Sequence, residues 1–123
     1  MDRKTVESLF EGYWSLLNEA DWIGLLDYFS EDCSFTNSAM DTVVSGKDQL
    51  KKVADSWPPV ETIPDGHAID GRRLVVSRKE RPLGQVAATP YRGVSSFLLD
   101  DKGKIKDYAG TFNMQEVIAA FSS

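Results

Sequence analysis

Asp70-Gly71-Arg72-Arg73-Leu74-Val75-Val76-Ser77-Arg78-Lys79-Glu80-Arg81 decides how the chain is read. Asp-Gly is a hairpin signal, and Leu74-Val75-Val76 is the most β-prone segment of the sequence, so a turn feeds a long strand over residues 72–81. Upstream, residues 60–70 form an extended partner that Pro64 and Gly66 mark as an edge or bulged strand. Downstream, Arg81-Pro82-Leu83-Gly84 is a turn. Residues 85–100 then predict a long strand through Val86 and residues 94–99, irregular near Pro90 and Gly93. Asp100-Asp101-Lys102-Gly103 turns the chain into a last strand over residues 104–112.

Before residue 60 the period changes from two to 3.6. Val6, Leu9, Phe10, Tyr13, Leu16 and Leu17 follow i, i+3, i+4, i+7 and predict a helix with Thr5 as its N-cap. Asp21 caps a shorter helix whose stripe is Trp22, Leu25, Leu26 and Phe29. Residues 33–37 alternate and predict a short strand. A third helix follows Ser45-Gly46, sets Leu50, Val53, Ala54 and Trp57 on one face, and stops at Pro58-Pro59. Asn113-Met114-Gln115-Glu116 reads as a capping box before Val117, Ile118 and Phe121. Helices followed by a strand meander imply a single α+β domain over residues 1–123, with helices on one face of a curved antiparallel sheet.

Composition narrows function by exclusion. With 14 basic against 19 acidic side chains, the net charge of −5 argues against a nucleic-acid partner, which needs a local excess of Lys and Arg. No apolar run approaches the ~20 residues of a membrane span. Met1-Asp2-Arg3-Lys4-Thr5 opens straight into the amphipathic pattern, so no signal peptide is expected and the expected compartment is the cytoplasm. Cys33 is the only cysteine and His67 the only histidine, which excludes an intrachain disulfide and leaves no cluster for a transition metal. Neither metal nor cofactor is expected, and Cys33 reads as a small buried hydrophobe.

The segment Tyr13-Trp14-Ser15-Leu16-Leu17-Asn18-Glu19-Ala20-Asp21 is followed by a second helix ending Phe29-Ser30-Glu31-Asp32, then a strand, then Val44-Ser45-Gly46-Lys47-Asp48. With the late hairpin from Phe97 to Gly103-Lys104-Ile105, this order resembles the nuclear-transport-factor-2-like superfamily over essentially the whole chain. Its nearest branches are the ketosteroid isomerases, the SnoaL-type polyketide cyclases and the limonene-epoxide hydrolases. The resemblance implies a cone: a bent sheet whose concave face, lidded by the first helices, encloses an apolar pocket. It also implies roles. Tyr13 falls on the isomerase tyrosine that donates to a developing oxyanion, the isomerase base falls on Asn37, and its second donor falls on Ser95. The hydrolase asparagine, arginine and first aspartate fall on Asn37, Arg78 and Glu80. The second hydrolase acid, and that of the cyclases, falls on Gly110. Each branch's constellation is therefore incomplete here.

Each candidate residue has a plain alternative. Tyr13 is either a core tyrosine or a neutral donor in a dry pocket. Arg78 and Glu80 lie two apart on one strand face. Facing inward, Glu80 is a base and Arg78 its orienter or an anion clamp; facing outward, both are solvated charges. Asn37 holds a water or a substrate carbonyl, or makes strand-end hydrogen bonds. Tyr108 shares a face with Gly110 and Phe112, which line the pocket or pack between sheet and helix. Trp57 is core or pocket rim, His67 sits near a turn with a ligand or catalytic role open to it, and Ser95 follows its family position. The expected function is a cofactor-independent acid–base enzyme (isomerase, cyclase, dehydratase or epoxide hydrolase) acting on a small, mainly apolar organic molecule. The competing expectation is a non-catalytic module that binds a small ligand or a partner in the same pocket. A homodimer is expected, because Val75, Val94 and Phe97 on the outer sheet face would need cover. Glu80→Gln is expected to leave the thermal midpoint unchanged or higher.

Overall fold

The computed structural model describes residues 2–39 and 41–122. In chain order the elements are α1 (Arg3–Asn18), α2 (Trp22–Leu26), β1 (Phe29–Asn37), β2 (Thr42–Ser45), α3 (Lys47–Ala54), β3 (Val60–Asp70), β4 (Arg73–Pro82), β5 (Tyr91–Leu99), β6 (Ile105–Phe112) and α4 (Met114–Ser122). The strands form one sheet in the order β2-β1-β6-β5-β4-β3. The α+β class and the helices over one sheet face are as expected. The sheet, however, is mixed: β1 pairs with β6 in parallel, while the other neighbours are antiparallel.

Several boundaries move for local reasons. Asp2, not Thr5, caps α1: its Oδ1 accepts from the Thr5 backbone N–H at 2.8 Å, so Thr5 lies inside the first turn. Left-handed Ala20 (φ 55°) ends this segment, and Asp21 then caps α2, accepting from Gly24 N–H at 3.0 Å. That helix stops at Leu26, and Phe29, expected on its stripe, instead starts β1 opposite Ile105. β1 therefore runs nine residues rather than the expected five, because β6 pairs with it at Phe29 and again from Ser34 to Asn37, across an irregularity between the two. β2 was not anticipated, since four residues carry too little pattern to register. α3 ends at Ala54, leaving Trp57 just beyond the helix. β5 begins only at Tyr91, since the turns and Pro90 before it offer no ladder. The Asp70-Gly71 hairpin (φ 59° at Gly71) and the irregularity between Pro64 and Gly66 in edge strand β3 lie where expected.

Alternation along the strands fills the helix-covered face. β4 buries Leu74, Val76, Arg78, Glu80 and Pro82 and turns the intervening residues outward. β5 buries Tyr91, Gly93, Ser95, Phe97 and Leu99. Phe97 was expected on the outer face; it is fully buried, with its ring 4.7 Å from Phe10 and 5.3 Å from Tyr13. It lies three residues from outward Val94, and an odd separation on a strand puts two side chains on opposite faces. Cys33 lies in the core at 1% exposure.

Gly93 is required by packing. A Cβ there would lie 2.3 Å from two ring carbons of Phe112. That ring is pinned by Tyr91, 5.7 Å away edge to face, and by the Arg78 guanidinium at 5.0 Å. Gly93→Ala should therefore cost about 1–3 kcal/mol through overpacking, read as a lower urea midpoint with an unchanged slope. An unchanged midpoint would show that the ring yields freely. Among the described residues, no helix is long and apolar enough to cross a membrane.

Candidate functional site

A cavity of about 410 Å³ lies between the inner sheet face and the helices. Apolar side chains make most of its wall, including Leu17, Leu25, Phe35, Trp57 and Val117. Its polar groups include Tyr13 from α1, Asn37 from the end of β1, Arg78 and Glu80 from β4, Tyr91 from β5 and Tyr108 from β6. The inward register of β4 thus brings Arg78 and Glu80 to the same cavity as Tyr13.

Arg78 and Glu80 are 4% and 7% exposed. Arg78 Nη1 lies 2.8 Å from Glu80 Oε1. The same Oε1 accepts from the Thr62 hydroxyl, and Oε2 accepts from Tyr91 Oη at 2.8 Å. Asn18, at the end of α1, clamps Thr62 through its backbone: its Oδ1 accepts from Thr62 N at 2.6 Å, and its Nδ2 donates to Thr62 O at 3.1 Å. On the other side, Arg78 Nη2 donates to Tyr108 Oη at 2.8 Å, and Ser95 Oγ lies 3.2 Å from that hydroxyl. The guanidinium carbon sits 5.4 Å from the Trp14 ring and 5.0 Å from the Phe112 ring. Two buried donors, Arg78 Nε and Trp57 Nε1, have no hydrogen-bond partner among the described residues. Because Arg78 is buried and depends on Glu80, the expectation that Glu80→Gln leaves stability unchanged is corrected: the amide strands a cation in the core.

The charges and phenols set one another's ionisation. Burial works against the Arg78 charge, but Tyr108, Glu80 and Tyr13 outweigh it and hold the guanidinium above its ordinary value. Burial pushes the Tyr13 phenol up, with Tyr108 adding to it. Tyr91 is pushed up by burial and then by Glu80, and Tyr108 by burial against the pull of Arg78. The Tyr13 hydroxyl, on a residue 4% exposed, has no hydrogen-bond partner among the described residues. It is a neutral donor left for whatever enters the cavity.

These raised phenols make a pH prediction. A folded value above the unfolded one gives stability that is fully present below the ordinary tyrosine value of 10.0 and is lost as pH climbs beyond it. In an alkaline titration, tyrosinate absorbance from three of the four tyrosines should appear only together with the loss of native circular dichroism. Ionisation of more than one tyrosine in the folded protein would contradict the placement of these rings.

The other expected residues divide. Trp57 lines the cavity, its ring 5.4 Å from Phe35 and nearly parallel to it, and Tyr108 lines it 4.5 Å from the other side of Phe35. Asn37 also lines it, although its Oδ1 is taken by the Ala39 backbone N–H at 2.9 Å. Ser95 does not reach the cavity; it is fully buried beneath the Tyr108 hydroxyl, one layer too deep. Phe112 also lies behind the wall, under Arg78 and against Tyr91. His67 lies elsewhere, beside a separate cavity of about 180 Å³ between α1 and β3, with its Nε2 3.6 Å from Glu7 Oε2. The bulge at Pro64 and Gly66 and the outer position of β3 carry it away. Gly110 does not enlarge the pocket: a Cβ would lie 2.3 Å from Tyr108 Oη, so the phenol occupies that space. Among the described residues, no three His, Cys, Asp or Glu side chains gather as a metal site.

Tyr91, Thr62 and the face of α4 carrying Met114, Ile118 and Phe121 were not read from the sequence. Tyr91 had a signal, since it lies four residues from Ser95 and so shares its inward face. Starting the strand at residue 85 obscured it.

In structure the chain is similar to a provisionally assigned SnoaL-like polyketide cyclase from Shewanella putrefaciens CN-32. The TM-score is 0.79 at 13% identity, covering 96% of this chain and 86% of that one. It is similar to SalBIII, an epoxide hydrolase/cyclase-like enzyme with a role in pyran ring formation in the polyether salinomycin (TM-score 0.77, 19% identity, 94% and 95% covered). A provisionally assigned ketosteroid isomerase from Kribbella flavida DSM 17836 also matches (TM-score 0.73, 15% identity, 89% and 78% covered). No protein-family model and no curated protein matches the sequence. At these identities the likeness establishes the architecture: this is the nuclear-transport-factor-2-like fold.

Proposed function

We propose that this chain, with its nuclear-transport-factor-2-like fold, is a cofactor-independent acid–base enzyme of the isomerase, cyclase, dehydratase or epoxide hydrolase type. Its substrate is a small, mainly apolar organic molecule, for which a cavity of about 410 Å³ has the usual size. One observation carries the reading: the unpartnered Tyr13 hydroxyl opens on the same apolar cavity as the buried Arg78–Glu80 pair. Glu80 is the base and Arg78 holds its carboxylate. Tyr13 donates to the oxygen that gains charge, where a fixed donor in a dry site is worth most. Asn37 and Tyr108 complete the polar end. The cavity's free polar capacity is mainly donor, so the substrate presents an oxygen acceptor to it.

A second reading, a non-catalytic ligand-binding module, draws support from Glu80 itself, both of whose oxygens already accept hydrogen bonds. Native mass spectrometry of protein purified from its own host separates the two. A retained apolar molecule recovered in a chemically altered form supports the enzyme; one that is bound and released unchanged supports the module. Failure to retain or saturably bind any apolar molecule would overturn both.

We also propose that the outer sheet face pairs two copies of the chain. Val75 and Val94 are 38% and 50% exposed there, and alternation places them on the same face because Val75 pairs with Ser96, two residues from Val94. Light scattering at micromolar concentration should give the mass of two subunits. A one-subunit mass would remove the proposal.

A further inference from the structure

We infer that Tyr91 is a catalytic residue: it takes the substrate's proton from an oxygen and passes its own to Glu80, which confines the site to molecules bearing an alcohol, enol or phenol hydroxyl. The inference rests on the acid–base reading and adds to it a route and a substrate class. Glu80 Oε1 is occupied by Thr62 and Arg78, so only Oε2 remains for incoming protons. Tyr91 already donates to that oxygen at 2.8 Å, and Tyr91 lines the cavity. Its ring is fixed edge to face against Phe112, at 5.7 Å, and tilted against Phe121, at 6.1 Å. The lone pairs of Tyr91 Oη have no other partner among the described residues. A hydroxyl entering the cavity can donate to them and join a continuous chain to the carboxylate. A C–H group is a poor member of such a chain and meets the phenol as an obstacle.

The step balances. The substrate O–H bond breaks and its proton goes to Tyr91 Oη, while the proton Tyr91 carried moves to Glu80 Oε2. The substrate oxygen keeps the electron pair and the negative charge, Tyr91 ends neutral, and Glu80 becomes a neutral acid. The charge inside the cavity is unchanged, with Arg78 now balanced by the substrate oxygen instead of Glu80. In a low-dielectric site this avoids separating charge. Burial and Glu80 push the Tyr91 phenol up, so it hands a proton on rather than parting with one to solvent.

Two sets of probes test this. 2-Naphthol and 2-methylnaphthalene differ only in a hydroxyl against a methyl, and their binding is read by fluorescence. 5-Nitrobenzisoxazole gives up a proton from carbon: the C–H electron pair forms a nitrile, and the N–O bond breaks onto oxygen as a coloured phenolate. The wild type should bind the naphthol about 3–10-fold more tightly than its methyl counterpart, and Tyr91→Phe should lower that preference to what Tyr13 alone supplies by donating to the naphthol oxygen. Ring opening should be slow in the wild type and at least about tenfold faster in Tyr91→Phe, whose Glu80 Oε2 is unmasked. It should fall back in Tyr91→Phe/Glu80→Gln. A naphthol preference that Tyr91→Phe leaves undiminished, or fast Glu80-dependent ring opening in the wild type, overturns the relay and leaves Glu80 as a base. Tyr91→Phe that opens the ring no faster than the double variant overturns the relay together with the acid–base reading. If the double variant does not fold, the naphthol arm, which needs Tyr91→Phe alone, and the ring-opening rate of Tyr91→Phe against the wild type decide.

Discussion

Arg78→Met should lower the stability of this protein by about 3–5 kcal/mol, a fall in thermal midpoint on the order of 10–20 °C. The variant keeps most of the side-chain volume and removes only the charge and its hydrogen bonds. What remains is Glu80, 7% exposed, with its carboxylate held by Thr62 and Tyr91 but no cation beside it. Tyr108 also loses the donor at 2.8 Å that fixes its hydroxyl. The cost comes from the stranded charge more than from the lost contact, so Arg78→Met/Glu80→Leu should recover most of it. Chemical denaturation of the single and double variants is the measurement. A single variant within about 1 kcal/mol of wild type would show that water reaches the pair, contrary to its burial.

Glu80→Gln should slow turnover of any accepted substrate by about 10²–10⁴-fold, the usual worth of general acid–base help. The amide keeps the shape and accepts from Tyr91 or Thr62, but it takes no proton. Tyr13→Phe should cost about 10²–10³-fold, because a single donor to a developing oxyanion is lost while the ring and its contacts remain. The two differ in stability. Tyr13→Phe removes a hydroxyl without a protein partner and should melt near wild type, whereas Glu80→Gln leaves Arg78 uncompensated and should melt lower. Steady-state kinetics with parallel melts reads both. Full activity in Glu80→Gln would leave Tyr13 and the cavity as a binding site alone.

The sequence by itself determined the order of elements other than β2, and the inner face of the central strand. Residues two apart on a strand must share a face, so once Leu74 and Val76 go inward, Arg78 and Glu80 follow them. The stripe through Val6, Phe10, Tyr13 and Leu17 put Tyr13 toward the sheet by the same kind of argument. Periodicity is local and survives without knowledge of partners. Tertiary structure decided what periodicity cannot express. The parallel pairing of β1 with β6 joins residues about seventy positions apart and lengthens β1 back to Phe29. The removal of His67 to another cavity and the withdrawal of Ser95 behind Tyr108 depend on strand order and depth. The occupancy of both Glu80 oxygens, by Thr62 from β3, Arg78 from β4 and Tyr91 from β5, exists only after three strands have come into register. A carboxylate's type is written in the chain, but its availability is a property of the neighbours that folding delivers, and that separates a free base from a relayed one.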